Sequence, residues 1–226
     1  MVQAGFPPGK TFDHAASCVA GEAHGHMRVP AAEPQLEAFL ISTGVVALAE
    51  IGDKTQLLAL LLAARFRKPL PIVLGILLAT LVNHALAGAL GAWLTTLLRP
   101  TTLRWALGLS FLGMAVWTLI PDKLDEDDTR LAGFGVFSTT LVAFFMAEMA
   151  DKTQIATVAL AAQYKAMFDV VLGTTIGMML ANVPAVLLGD RIAARFPVRL
   201  VHVIAAAIFA MIAGATLLGS GERFGF

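Results

Sequence analysis

Residues 49–56 read Ala-Glu-Ile-Gly-Asp-Lys-Thr-Gln, and residues 147–154 read Ala-Glu-Met-Ala-Asp-Lys-Thr-Gln. Six of the eight positions are identical, and three of those six carry a charge. Each copy of this octet lies in the middle of a long apolar stretch. Because charge is expensive in hydrocarbon, a chain that places the same charged octet twice in such surroundings is predicted to use it.

The composition is that of an integral membrane protein. The chain has 226 residues, of which 58% are apolar and 14% are charged, whereas soluble domains carry about 25% charged residues. The formal net charge is zero, which gives no basis for a nucleic-acid partner. The one cysteine, Cys18, excludes an intrachain disulfide and a cysteine-based metal site.

Six apolar segments follow one another along the chain. A membrane-spanning helix needs about 20 residues, and each segment reaches or approaches that length. The segments are too long for strands and do not alternate strictly. We therefore predict an all-α integral membrane protein with six transmembrane helices. The segments are 36–64, 69–98, 103–121, 131–162, 166–189 and 198–219.

The two halves of the chain resemble each other beyond the octets, at a constant shift of 98 residues. Leu62-Ala63-Ala64 matches Leu160-Ala161-Ala162, and Val73-Leu74-Gly75 matches Val171-Leu172-Gly173. A unit of three helices is odd, so the second unit enters the membrane from the opposite side. The sequence thus predicts two inverted three-helix repeats, an architecture with its binding site near the bilayer midplane.

Domain boundaries follow from this repeat. We predict a first three-helix repeat at 35–121, an acidic loop at 122–130 and a second repeat at 131–221. Residues 1–34 lack an apolar core and are rich in Gly, Pro and Ala, so we predict a disordered N-terminal tail. Translation beginning at Met27 is an alternative that would leave a shorter tail.

The octets hold the candidate metal ligands. On a helix, residues three apart share one face, so Glu50 and Asp53 are predicted to point together, as are Glu148 and Asp151. Gly52, between the first pair, invites a helix break or a close approach that would free carbonyl groups near the middle of the membrane. Hydroxyl and amide groups add neutral oxygens. Such hard oxygen ligands suit Ca²⁺, Mn²⁺ or Mg²⁺. The neutral candidates are Thr55, Gln56, Thr153 and Gln154.

The formal charge of the octets indicates which ions could neutralise them. Four carboxylates and two lysines, Lys54 and Lys152, sum to −2. One divalent cation would neutralise this cluster, and so would two protons. The alternative is that Glu50–Lys54 and Glu148–Lys152 are i,i+4 pairs that only stabilise their helices. That alternative leaves the two aspartates unexplained.

Three further polar residues lie inside apolar segments. Asn83 and His84 are in the middle of the second segment, and Asn182 occupies the position equivalent to His84 in the second half. They are candidates for orienting the carboxylates or relaying protons. Interhelical hydrogen bonding is the alternative role.

The doubled motif Glu-x-Gly-Asp-(Lys/Arg)-(Thr/Ser) resembles that of the Golgi-type manganese/calcium–proton exchanger family, which includes bacterial manganese exporters. The resemblance covers residues 36–220. It implies cation binding by Glu50, Asp53, Glu148 and Asp151. Lys54, Thr55, Lys152 and Thr153 are the remaining motif members. Ala150 stands where the family has glycine.

We therefore expect a secondary transporter that exchanges a divalent cation for protons by alternating access, with Mn²⁺ efflux implied by the resemblance. A Ca²⁺/H⁺ antiporter is the alternative, and a cation channel is a less favoured one. We expect no enzymatic activity and no cofactor apart from the transported cation. The expected partners are the cation, protons and the lipid bilayer, in a multi-pass protein of the bacterial inner membrane. Whether the chain forms a homo-oligomer stays open.

Overall fold

A computed structural model describes residues 34–120, 135–149, 151–188 and 198–219. This part of the chain contains helices and no strand, so the all-α prediction is confirmed. Pro34, predicted as the end of the tail, begins the first helix. The predictions for residues 1–33 and for the loop at 122–130 lie outside the described residues. The helices are α1 (Pro34–Glu50), α2 (Lys54–Phe66), α3 (Pro69–Leu97), α4 (Pro100–Trp117), α5 (Val136–Glu148), α6 (Lys152–Tyr164), α7 (Met167–Leu188) and α8 (Val198–Leu217).

The first and fourth apolar segments are interrupted at the octets. The prediction of a single helix over 131–162 is therefore wrong, whereas the break that Gly52 indicates within 36–64 is confirmed. Each segment is instead a pair of shorter helices, α1 with α2 and α5 with α6. The other four segments form single helices with bounds close to the predicted ones.

The first interruption has a clear cause in its backbone. Gly52 adopts φ +83°, a left-handed conformation that a side chain disfavours. Asp53 then takes an extended conformation, with φ −77° and ψ 169°, at the N-cap of α2. Aspartate is among the residues preferred at that position. The Asp53 N–H donates to the Glu50 carbonyl at 3.1 Å, which closes the turn between α1 and α2.

The second interruption forms in the half of the chain whose motif has Ala150 in place of glycine. Met149 has an extended backbone, with φ −65° and ψ 122°. Asp151 caps α6 with φ −80° and ψ 164°, nearly the values of Asp53. Its N–H donates to the Glu148 carbonyl at 3.1 Å. A break in this half therefore does not require the glycine of the motif.

The helices bury small and polar residues and expose large apolar ones. One buried cluster joins α1, α4, α6 and α8 around Phe111 and Phe209, whose rings stack with centroids 6.5 Å apart. A second joins α2, α3, α5 and α7 around Phe144. Leucines such as Leu86 and Leu180 are more than half exposed, whereas the acidic residues and threonines of both octets are buried. This distribution suits a protein surrounded by lipid.

Three described helices are long and apolar enough to cross a membrane: α3, α7 and α8. The shorter α5 is also apolar. Two of these helices, α3 and α7, pack against each other and against the broken pairs, α3 on α5 and α6, and α7 on α1 and α2. The chain is thus an integral membrane protein whose broken helices lie against unbroken ones.

Glycines on α7 allow α1 to approach closely. A Cβ at Gly173 would lie 2.6 Å from the Phe39 carbonyl oxygen, and one at Gly177 would lie 2.6 Å from that of Thr43. Those atoms belong to the backbone of α1, so they cannot move aside. These two glycines therefore permit close packing of α1 against α7.

We expect Gly177→Ala to lower the free energy of unfolding by about 1–3 kcal/mol, because the methyl group must push α1 away from α7. The measurement is thermal unfolding in detergent. Gly113→Ala is the matched control, since a Cβ at that helical position would meet nothing within 4 Å. Equal melting temperatures for the two variants would contradict the proposed contact.

Candidate cation site

The two helix breaks meet inside the protein. Carboxylate oxygens of Glu50, Asp53 and Asp151 all lie within 4.8 Å of one another, and all three residues are buried. Thr153 Oγ1 lies 3.1 Å from Glu148 Oε2 and 3.3 Å from Asp151 Oδ2, so the fourth acidic side chain adjoins the same cluster. The octets, which are about 98 residues apart in sequence, therefore contribute to one cluster.

Glu50 and Asp53 are close without sharing a helix. Glu50 ends α1 and Asp53 precedes α2, with the break between them. Glu148 and Asp151 flank the second break in the same way. The prediction that each pair lies on one face of a helix is wrong, because the backbone changes direction between the two residues. The break brings the carboxylates together instead.

Each glutamate is held by the threonine of its own octet. Thr55 Oγ1 donates to Glu50 Oε2 at 2.6 Å, and Thr153 Oγ1 donates to Glu148 Oε2 at 3.1 Å. The other oxygen of each glutamate, Oε1, is buried and has no hydrogen-bond partner among the described residues. Because a buried carboxylate oxygen needs a partner, these two atoms are the best candidates to receive a cation or a proton.

The lysines cross from one octet to the other. Lys152 Nζ contacts Asp53 Oδ1, and Lys54 Nζ lies 3.4 Å from Asp151 Oδ1. The alternative of i,i+4 pairs within each helix does not describe this arrangement, because the break separates each glutamate from the lysine that follows it. The ion pairs connect the two halves of the protein.

Gln56 stabilises the first break rather than facing the carboxylates. Its Oε1 accepts from the Gly52 N–H at 2.8 Å, and its Nε2 donates to the Ala181 carbonyl at 3.0 Å. Gln154 is half-buried and borders an apolar groove with Leu86 and Val158. The ligand role of either glutamine remains a prediction.

The three supporting residues lie on α3 and α7. Asn83 Nδ2 donates to the Phe145 carbonyl at 3.1 Å, so it connects α3 to the last turn of α5. His84 Nδ1 lies 3.4 Å from Thr175 Oγ1, and Asn182 Nδ2 donates to the Met178 carbonyl. Asn83 fits the alternative of interhelical hydrogen bonding, whereas the bond of Asn182 is local to α7. Among the described residues, none of the three hydrogen-bonds to a carboxylate, and their part in proton transfer remains a prediction.

One residue at the site was not found by sequence reasoning. His202, near the start of α8, has Nε2 2.7 Å from the Ile51 carbonyl oxygen, inside the first break. Val198, one turn earlier, packs on Gly52. The start of α8 therefore contacts the turn of this break at Ile51 and Gly52. A single histidine near a helix start carries no periodicity or motif, so no signal in the sequence could have indicated the contact.

We expect His202→Ala to slow cation transport about fivefold, the effect of losing a hydrogen bond worth about 1 kcal/mol to a break that must move. His202→Gln should keep most of the activity, because its amide N–H can still donate to Ile51. The control is Val203→Ala, at an exposed position of the same helix. The measurement is initial flux in proteoliposomes. Equal flux from His202→Ala and Val203→Ala would contradict this role.

The fold and the site together define a class of protein. Paired broken helices that place charged and oxygen-bearing groups inside a membrane protein are typical of secondary transporters. The chain matches the family model "Divalent cation/proton antiporter GDT1" over residues 38–126 and 136–223. It belongs to this family.

Curated relatives agree with the family match. The chain is 53% identical over 185 residues to the "Putative manganese exporter" of Vibrio cholerae serotype O1, covering 81% of this chain and 92% of the relative. It is 29% identical over 198 residues to "GDT1-like protein sll0615" of Synechocystis, covering 79% of this chain and 95% of the relative. "GDT1-like protein 4" of Oryza sativa subsp. indica is 30% identical over 213 residues, with coverages of 82% and 74%. No solved structure matches the chain.

Proposed function

We propose that this antiporter exports Mn²⁺ in exchange for protons, and that the cation binds at the two helix breaks. The observation that carries the proposal is the meeting of Glu50, Asp53 and Asp151 in one buried cluster, with a glutamate oxygen left free on each side of it. The name of the Vibrio cholerae relative supports manganese as the cargo. All-oxygen ligands suit Mn²⁺ and are also compatible with Ca²⁺.

The charge of the cluster supports exchange. Its four carboxylates and two ammonium groups carry a formal charge of −2. Such a charge is costly inside the membrane unless it is compensated. One divalent cation or two protons provide the same compensation. A site that always needs one of the two occupants couples their movements.

We also propose that the chain consists of two inverted repeats, 35–121 and 131–221, separated by the acidic loop 122–130. In this arrangement α1 with α2 forms one interrupted crossing, α5 with α6 forms another, and the remaining four helices complete six. Similar backbone conformations at equivalent positions of the two halves support this repeat. Arg67 and Lys165, which are equivalent positions, both end their helices with a left-handed backbone, at φ 51° and 52°.

Packing supports the same repeat. Gly173 of α7 faces the Phe39 carbonyl of α1, and Gly75 of α3 faces the Phe137 carbonyl of α5. The shift of 98 residues that relates the octets also relates Gly75 to Gly173 and Phe39 to Phe137, so each contact is the counterpart of the other. The crossed ion pairs Lys152–Asp53 and Lys54–Asp151 are counterparts of each other under the same shift.

The cell membrane in which the protein acts is part of the proposal. The Vibrio cholerae relative is bacterial, which supports the inner membrane as the location of this chain. The transported ion is the substrate, so the proposed mechanism requires no resident cofactor and no enzymatic step. The chain's own residues hold the cation, hold protons and move the two breaks.

Purified protein in proteoliposomes tests the function. We expect Mn²⁺ flux to accelerate when an imposed proton gradient drives protons in the opposite direction. Without an imposed proton gradient, Mn²⁺ flux should itself drive protons across the membrane. Excess Ca²⁺ in the same assay decides which cation is preferred. Mn²⁺ flux that is indifferent to the proton gradient would contradict exchange and favour a channel.

A further inference from the structure

The two crossed ion pairs are equivalent in sequence and unequal in the structure. Lys152 is 2% exposed and Asp53 is fully buried. Lys54 is 23% exposed and Asp151 is 3% exposed. We call Lys152–Asp53 the closed pair and Lys54–Asp151 the open pair. If the halves were only a symmetric scaffold, equivalent lysines would be equally buried.

The exposure of Lys54 indicates a path to water. An ammonium group that faces lipid at the middle of a membrane is costly, so a partly exposed lysine there is expected to contact water. At the second break, by contrast, Lys152 is almost completely buried. The described conformation therefore has one approach to the carboxylates hydrated and the other sealed.

We propose that Lys54 and Lys152 are tethered counter-ions that seal the site in turn, each pairing with the aspartate of the opposite half. This inference rests on the proposed exchange function and on the inverted repeat. Two lysines balance two of the four carboxylates, and the remaining charge of −2 is available to the cargo. The glutamate oxygens without partners, Oε1 of Glu50 and of Glu148, fit this division.

A cation that enters by the hydrated approach meets the open pair first. It competes with Lys54 for Asp151, because that ammonium already contacts water and is the less costly one to release. In the opposite state of the transporter the two pairs exchange roles. Lys54 is then the buried lysine and Lys152 the hydrated one. Each lysine is a positioning residue for the cation's carboxylates rather than a ligand.

Hydrogen–deuterium exchange of the full-length protein in lipid nanodiscs, with divalent cations removed by a chelator, tests the inference. The readout is the exchange of two peptides, residues 51–57 at the start of α2 and residues 149–155 at the start of α6. In the unmodified protein we expect 51–57 to exchange faster, because its side of the site is hydrated.

Lys152→Gln should reverse the exchange pattern of the two peptides, and Lys54→Gln should leave it as in the unmodified protein. Lys152→Gln removes the closed pair, so exchange of 149–155 should rise about fivefold and that of 51–57 should fall. Lys54→Gln removes the open pair of the described state and the closed pair of the opposite state. It should keep 149–155 protected and 51–57 fast. Lys152→Arg keeps the charge and should preserve the original pattern, and Lys68→Gln is the control for loss of an exposed lysine.

Opposite changes in the two peptides would support alternating seals. Faster exchange of both peptides in both variants would overturn the inference, because that is the result of general loosening. Unchanged exchange in both would overturn it as well. If Lys152→Gln fails to fold, the double variant Asp53→Asn with Lys152→Gln removes both charges of the closed pair and carries the same expectation. Exchange needs no transport, so flux of the unmodified protein decides the proposed function separately.

Discussion

Glu50→Gln and Glu148→Gln are each expected to abolish cation transport, lowering flux by more than about 100-fold, and to leave the protein folded. Glutamine keeps the size of the side chain and a carbonyl oxygen that can accept the hydrogen bond from Thr55 or Thr153. It removes the charge and one oxygen that can bind a cation or a proton. Lys54 and Lys152 form their ion pairs with the two aspartates, so each ammonium group keeps that carboxylate partner in these variants.

Flux in proteoliposomes and thermal unfolding of the same preparations measure the two parts of this prediction. Glu37→Gln is the matched control, because Glu37 lies in the first turn of α1, away from the break. Loss of flux with an unchanged melting temperature is the expected result. Substantial flux from either variant would show that its glutamate does not bind the cargo, and the single-site account would then fail.

Asp53→Asn is expected to abolish transport and also to lower the free energy of unfolding, by about 3 kcal/mol. The reason is Lys152, an almost completely buried ammonium group that contacts Asp53. The substitution leaves this group short of one counter-charge. From sequence alone, a folded and inactive variant would be expected. The buried lysine changes that expectation.

The equivalent variant in the other half should behave differently. Asp151→Asn should also abolish transport, and it should cost only about 1 kcal/mol of stability, because Lys54 is 23% exposed and can turn to water. Asp169→Asn, in the first turn of α7, is the control for loss of an acidic residue elsewhere. Thermal unfolding of the three variants gives the comparison.

A double variant separates folding from function. Asp53→Asn combined with Lys152→Gln removes both charges of the pair, so it should regain most of the stability lost in Asp53→Asn. It should remain inactive, because the carboxylate is still missing. Equal stability of Asp53→Asn and Asp151→Asn would show that the greater burial of Lys152 does not affect the free energy of unfolding, and it would contradict this prediction.

The helical segments and the pairing of the octets could be predicted from sequence because both depend on strong, repeated signals. A run of about 20 apolar residues identifies a span without any knowledge of its neighbours. The repeated octet predicts two similar environments. The two octets do meet, through carboxylates of Glu50, Asp53 and Asp151.

Gly52 indicates the first break, but the second break and the ion pairs could not be predicted in the same way. Hydropathy hardly changes when three residues leave the helix, so segments 36–64 and 131–162 look continuous. Ala150 gives no glycine signal, and the second break depends on Asp151 taking an N-cap conformation. The contacts of Lys152 with Asp53 and of His202 with Ile51 join residues 99 and 151 positions apart. Contacts of that kind depend on how the helices pack and leave no local pattern.

Cation binding to the purified protein, measured by calorimetry together with proton release, tests the central claim most directly. The claim is that both halves build one site that holds either a divalent cation or protons. We expect one Mn²⁺ per chain, release of about two protons on binding at a pH where the empty site is protonated, and loss of binding in Glu50→Gln and in Glu148→Gln alike. Two cations per chain, with one retained in each variant, would contradict a shared site, and binding without proton release would contradict the exchange.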